Sequence, residues 1–136
     1  MTLAGLMEGL GLGAARDAKR LVAHLRGDAL RVATADDAVG RALTKARHLP
    51  VAVQAGADAD AALALGLPEG DEAAPALEAL IAATRSGALV AVVTPSGLGQ
   101  EGERARTAGL FLRAGLVKLQ QDDERGLPVT RGFVAR

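Results

Sequence analysis

The chain has 136 residues, its 16 Lys+Arg balance 16 Asp+Glu, and 49 % of its side chains are apolar. That length and composition fit a single domain over residues 1–136 and exclude a disordered chain. With no Cys, Trp or Tyr, and Phe111 and Phe133 as the aromatic residues, disulfide scaffolds, thiolate metal sites, cysteine nucleophiles and base-stacking platforms are excluded as well.

The opening segment, residues 1–10, has no basic start and is interrupted by Glu8, which argues against a signal peptide. The apolar run Leu89–Val93 is too short to span a bilayer, so a cytoplasmic protein is expected. Ala14, Ala18, Leu21, Val22 and Leu25 recur on one helix face, and Gly27 ends that helix. Residues 29–34 then read as a strand. Thr34 or Asp36 caps a helix whose apolar face is Val39, Ala42, Leu43 and Ala46. Residues 49–53 form a second strand with Pro50 at its start, where a missing donor is tolerated.

The Ala/Leu-rich stretch Asp58–Leu67 predicts a helix, followed by a loop over 67–71. Pro75 suits the first turn of a helix continued by Leu77, Leu80, Ile81 and Thr84, and Ser86-Gly87 ends it. Residues 88–94 are an almost unbroken apolar run, the mark of a strand covered on both faces. A loop over 95–99 leads to a helix over 101–114. Two last strands, 116–119 and 127–134, flank a turn at 121–126. Strands alternating with helices predict an α/β fold: a three-layer sandwich around a central, mostly parallel sheet of four to five strands.

Charge is unevenly spread. Residues 1–56 sum to +3, residues 57–103 to −7 and residues 104–136 to +4. This is either a set of solvated helix faces or a basic surface, built from both ends of the chain, for an anionic ligand. The stripe Arg16, Arg20 and His24 carries the same two readings. His24 and His48 belong to no metal-spaced cluster, so no metal is expected, and no motif implies a cofactor.

Ligands of open parallel sheets sit beyond the carboxyl ends of the strands. The loop there with the most chemistry is Thr94-Pro95-Ser96-Gly97-Leu98-Gly99. Thr94, Ser96, Gly97 and Gly99 offer two hydroxyls, a pliable backbone and free amides before a helix, a setting for an anion such as phosphate. The alternative is a tight turn with locally bonded hydroxyls. The spacings of a Walker A loop and of a dinucleotide fingerprint are missing. Asp71, after Gly70, is either a helix cap or a general base on a loop.

In order, Arg16-Asp17, Val32-Ala33-Thr34, Leu49-Pro50-Val51, Pro68-Glu69-Gly70-Asp71 and Thr94-Pro95-Ser96-Gly97 resemble the segments of the methylglyoxal-synthase-like domain, also found as the regulatory end of the large carbamoyl phosphate synthetase subunit. The resemblance runs from Ala15 to Leu116. It implies that Thr34, Thr94 and Ser96 contact phosphate with Lys19 or Arg20 nearby, and that Asp71 matches the synthase's catalytic Asp. The chain departs from that family at Ala35-Asp36-Asp37, whose two carboxylates should repel phosphate, and residues 57–68 look inserted. A second resemblance, to the ribosomal-protein-like fold that binds kinked RNA, rests on Leu25-Arg26-Gly27, Ala33–Asp37 and Ala62–Pro68, without that family's RNA-contacting motif.

The expected function is therefore a regulatory or binding domain for a small, phosphorylated anion, without catalysis of its own. The alternatives are a synthase-like lyase using Asp71 as base, an RNA-binding module of the ribosomal-protein-like type, and a structural or protein-interaction domain with a second copy or another protein as partner. Nucleic acid is disfavoured by the zero net charge, and no membrane partner is expected.

Overall fold

The computed structural model describes residues 3–94, 100–123 and 127–135. A long helix, α1 (Leu3–Val22), precedes β1 (Arg31–Ala33), α2 (Asp37–Lys45), β2 (Leu49–Val51) and β3 (Ala59–Ala64). A single 3-10 turn (Gly70–Glu72) leads into α3 (Ala73–Ala82), β4 (Thr84–Val93), α4 (Gln100–Arg113), β5 (Leu116–Asp122) and β6 (Val129–Val134). The six strands form one sheet in the order β2-β1-β3-β4-β6-β5. β1 pairs in parallel with β2 and β3, and β3 with β4. β6 runs antiparallel between β4 and β5. The expected three-layer α/β sandwich is present, with six strands.

Two apolar layers cover the sheet. Ala18, Leu21, Val22 and Leu25, with Val39 and Leu43 of α2, pack on Val32, Ala61, Leu63, Ala91 and Val93. Leu77 and Leu80 of α3 and Phe111 of α4 pack on Ala62, Ala64, Val90 and Val92 on the opposite face. Successive residues of β3 and β4 thus go to opposite layers, as the pleat requires.

One predicted element differs in kind. Residues 59–64 are a strand, not a helix. β3 lies between β1 and β4 with almost every side chain buried, and an alanine run buried on both faces has no polar positions to betray its period. What looked like an insertion at 57–68 is thus the middle of the sheet. The link from β2 to β3, residues 52–58, crosses without a helix and is pinned where Gly56 and Ala59 donate to the carbonyls of Ala82 and Ala83 at 3.1 and 2.9 Å. Among the described residues, no helix is long and apolar enough to cross a membrane.

Candidate functional site

The chain leaves β1 for β2 on one side and enters β3 on the other. After β1 it passes into α2 on one face of the sheet, and after β3 into α3 on the opposite face. Such a reversal leaves a crevice beyond the carboxyl ends of the two strands. Its lips are Thr34–Asp37 and the residues after Ala64.

Side chains tie these lips together. Thr34 is buried, and its Oγ1 accepts the Asp36 amide at 3.2 Å. Asp36 occupies the N-cap position of α2 but makes no side-chain cap. Its Oδ2 instead accepts the Leu65 amide, at 2.9 Å, from across the crevice. The gap between β1 and β3 is bridged, and open space lies to the β2 side. There Thr34, Ala35, Asp36, Asp37, Gly40 and Thr44 line a pocket of about 640 Å³ with residues 50–52, within the usual range of small-molecule sites. Arg41 and Lys45 line it as well.

The turn over residues 34–39 contains no glycine, so this side of the pocket presents side chains rather than bare backbone. Its acceptors are the free oxygen of Asp36, the exposed carboxylate of Asp37 and the Thr44 hydroxyl, although that hydroxyl also donates to Gly40 O at 3.1 Å. Two carboxylates at the head of a helix suit a ligand that brings positive charge or hydroxyl donors, and repel phosphate. In the sequence Asp36 reads as a helix cap and, with Asp37, as an obstacle to phosphate. Their placement here depends on a contact 29 residues away, for which the local sequence carries no signal.

The other expected site residues are scattered. Thr94 directly follows β4, on the far side of β3 from Thr34. It is buried, and its amide and hydroxyl both donate to the Pro128 carbonyl, at 2.9 and 3.3 Å. Ser96, Gly97 and Gly99 lie outside the described residues. Asp71 is exposed on the 3-10 turn and lines a different space, between α3 and α4, with Glu78, Arg106 and Arg113. Lys19 lies in a groove between α1 and α2 that Arg20 does not line.

No family model matches the sequence, and no curated protein matches it. Solved structures do. A SAM-dependent methyltransferase of Thermotoga maritima, described as a possible histamine N-methyltransferase, superposes with a TM-score of 0.59 at 13 % identity, covering 96 % of this chain and 95 % of that one. The 1,6-didemethyltoxoflavin-N1-methyltransferase of Burkholderia thailandensis, solved with S-adenosylhomocysteine bound, gives 0.56 at 17 % identity over 90 % of this chain and 79 % of its own. The 16S rRNA N2 G1207 methyltransferase of T. thermophilus, solved with AdoMet and guanosine, gives 0.56 at 15 % identity; the match covers 91 % of this chain but 39 % of that enzyme. At these identities the likeness establishes the fold.

The neighbours overturn the expected methylglyoxal-synthase-like identity. With it fall the regulatory domain without catalysis, the small phosphorylated ligand and the alternatives of lyase, ribosomal-protein-like module and interaction domain. The physical reasons are local. The Thr94 donors turn inward, and the turn that was to share the phosphate carries two carboxylates.

Proposed function

We propose that this chain is a methyltransferase-fold domain that binds S-adenosylmethionine in the pocket beside Thr34, Asp36 and Asp37. The observation that carries this reading is a pocket with two carboxylates beside the crevice where the strand order reverses, in a fold two of whose solved neighbours hold that cofactor or its product. The cofactor is a sulfonium cation with an ammonium group and ribose hydroxyls. Asp36 and Asp37 supply the matching negative charge and acceptors. When bound, it supplies an electrophilic methyl group to a nucleophile. Asp36 has a second task, because its bond to the Leu65 amide ties the turn after β1 to the end of β3.

Isothermal titration calorimetry with S-adenosylmethionine, S-adenosylhomocysteine and ATP tests this. Saturable binding of the first two and none of ATP is expected. Asp37→Asn should weaken S-adenosylmethionine about tenfold, the equivalent of about 1.4 kcal/mol, and S-adenosylhomocysteine, whose sulfur is uncharged, less. No heat with either adenosyl compound, or preference for ATP, ends this reading.

A further inference from the structure

The groove between α1 and α2 is a second space, of about 710 Å³, whose floor is Val22, Ala23, Ala38, Ala42 and Ala46. Its charged walls are of one sign. Arg16 and Lys19 come from α1, and Arg41 and Lys45 from α2, all exposed. The described carboxylates of these two helices, Asp17 and Asp37, do not line it. None of the four cations has an ion-pair partner among the described residues. His48 closes one end. Its Nδ1 accepts the Leu30 amide at 3.1 Å, which leaves Nε2 to carry the proton of the neutral ring. Four of the eight Lys and Arg residues in residues 1–56 thus line one concave face, although the whole chain is neutral.

Spacing says what fits. Arg16 and Lys19 are about 5–6 Å apart along one helix, and Arg41 and Lys45 are similarly spaced along the other. Both helices lead to the start of a strand in the same parallel set and pack on the same face of the sheet, so the two cation pairs face each other along a trough. One small anion engages one or two of these charges. A chain of regularly spaced charges engages all four. The concavity fits a strand better than a flat bilayer, and the lack of aromatic side chains leaves backbone contacts rather than base stacking as the means of holding it.

We propose that the α1–α2 groove binds the phosphodiester backbone of a single-stranded nucleic acid through Arg16, Lys19, Arg41 and Lys45. Arg41 and Lys45 also line the pocket beside Asp36, so a strand held here runs past the mouth of that pocket. Strand binding stands on the groove alone. Service as the methyl acceptor rests in addition on the cofactor reading above.

The test is fluorescence anisotropy of the full chain, without cofactor, against labelled oligo(U) and oligo(dT). Anionic phospholipid vesicles and inorganic phosphate serve as separate arms. Salt-dependent binding of either oligonucleotide is expected, with a slope of log K on log salt of about −3 for four contacts at about 0.7 each. Arg16→Ala/Lys19→Ala, which leaves the cofactor pocket untouched, should weaken binding at least tenfold and halve the slope. Arg106→Ala/Arg113→Ala, on the opposite layer, should change neither. The altered cations are exposed, so thermal melts should show all variants folded. A preference for oligo(U) identifies RNA, and a preference for oligo(dT) identifies DNA. No oligonucleotide binding at low salt, binding to vesicles alone, or full affinity in the Arg16/Lys19 variant overturns the proposal. Because no cofactor is present, failure here leaves the calorimetric test intact, and the reverse holds too.

Discussion

Asp36 is half-buried at a helix N-cap yet spends an oxygen on an amide 29 residues further along the chain. Asp36→Ala leaves the Leu65 N–H without its partner, at a cost of about 1–2 kcal/mol. A matching fall in the urea midpoint at constant slope is expected. Asp60 is a comparable carboxylate at the opposite end of the sheet. Its Oδ2 accepts the Arg31 amide and its Oδ1 accepts Arg85 Nε, each at 2.9 Å. The Arg31 amide chiefly holds this carboxyl below its ordinary value of 3.8; partial burial opposes it, and Arg85 assists. A folded-state pKa lower than the unfolded one stabilises the fold above the unfolded value, and that gain is lost as pH falls through the folded value. Asp60→Asn should therefore be less stable than the parent at neutral pH, by about 1 kcal/mol. The gap in melting temperature should close below pH 3.8; a gap independent of pH would exclude this cause.

At the scale of elements, α4 and the β5–β6 hairpin are held by one close fit. Phe111 is fully buried. A Cβ built at Gly132 would stand 3.5 Å from its Cδ2, 3.3 Å from Leu116 Cβ and 3.4 Å from Val117 O. The glycine lets helix and sheet approach. Gly132→Ala should cost about 1 kcal/mol through crowding, and Phe111→Ala about 3–5 kcal/mol through the cavity it leaves. Chemical denaturation of both variants checks the ranking; equal losses would mean that the strand, not the aromatic ring, limits the packing. The helix faces around Leu21, Leu43 and Leu77 were legible in the sequence because one side of each meets water and the other does not. β3 was not legible, because its burial comes from neighbours on both faces and its alanines are good helix formers in isolation.

For the molecule as a whole, the last strand decides the architecture. β6 lies between β4 and β5 and pairs with both. It contributes Val129 and Val134 to the two opposite core layers. A chain ending at Asp122 strips both neighbours of their ladder and exposes both layers. Loss of the cooperative thermal transition in circular dichroism is the expected result. A truncated chain that still melted cooperatively would show that the fold stands without β6.

Composition and periodicity by themselves determined the α/β class, the layered helices and the apolar strand run 88–93, because each follows from side chains within one or two turns of their neighbours; they did not show that this strand already begins at Thr84, before Ser86-Gly87. They also determined that an acidic middle, residues 57–103, is flanked by two basic segments. Only the tertiary structure decided the strand order, the inversion of β6, the inward turn of Thr94 and the bridge from Asp36 to Leu65. The last three depend on partners 29 or more residues away in the chain, and a long-range contact leaves no mark on the local pattern of the residues that make it.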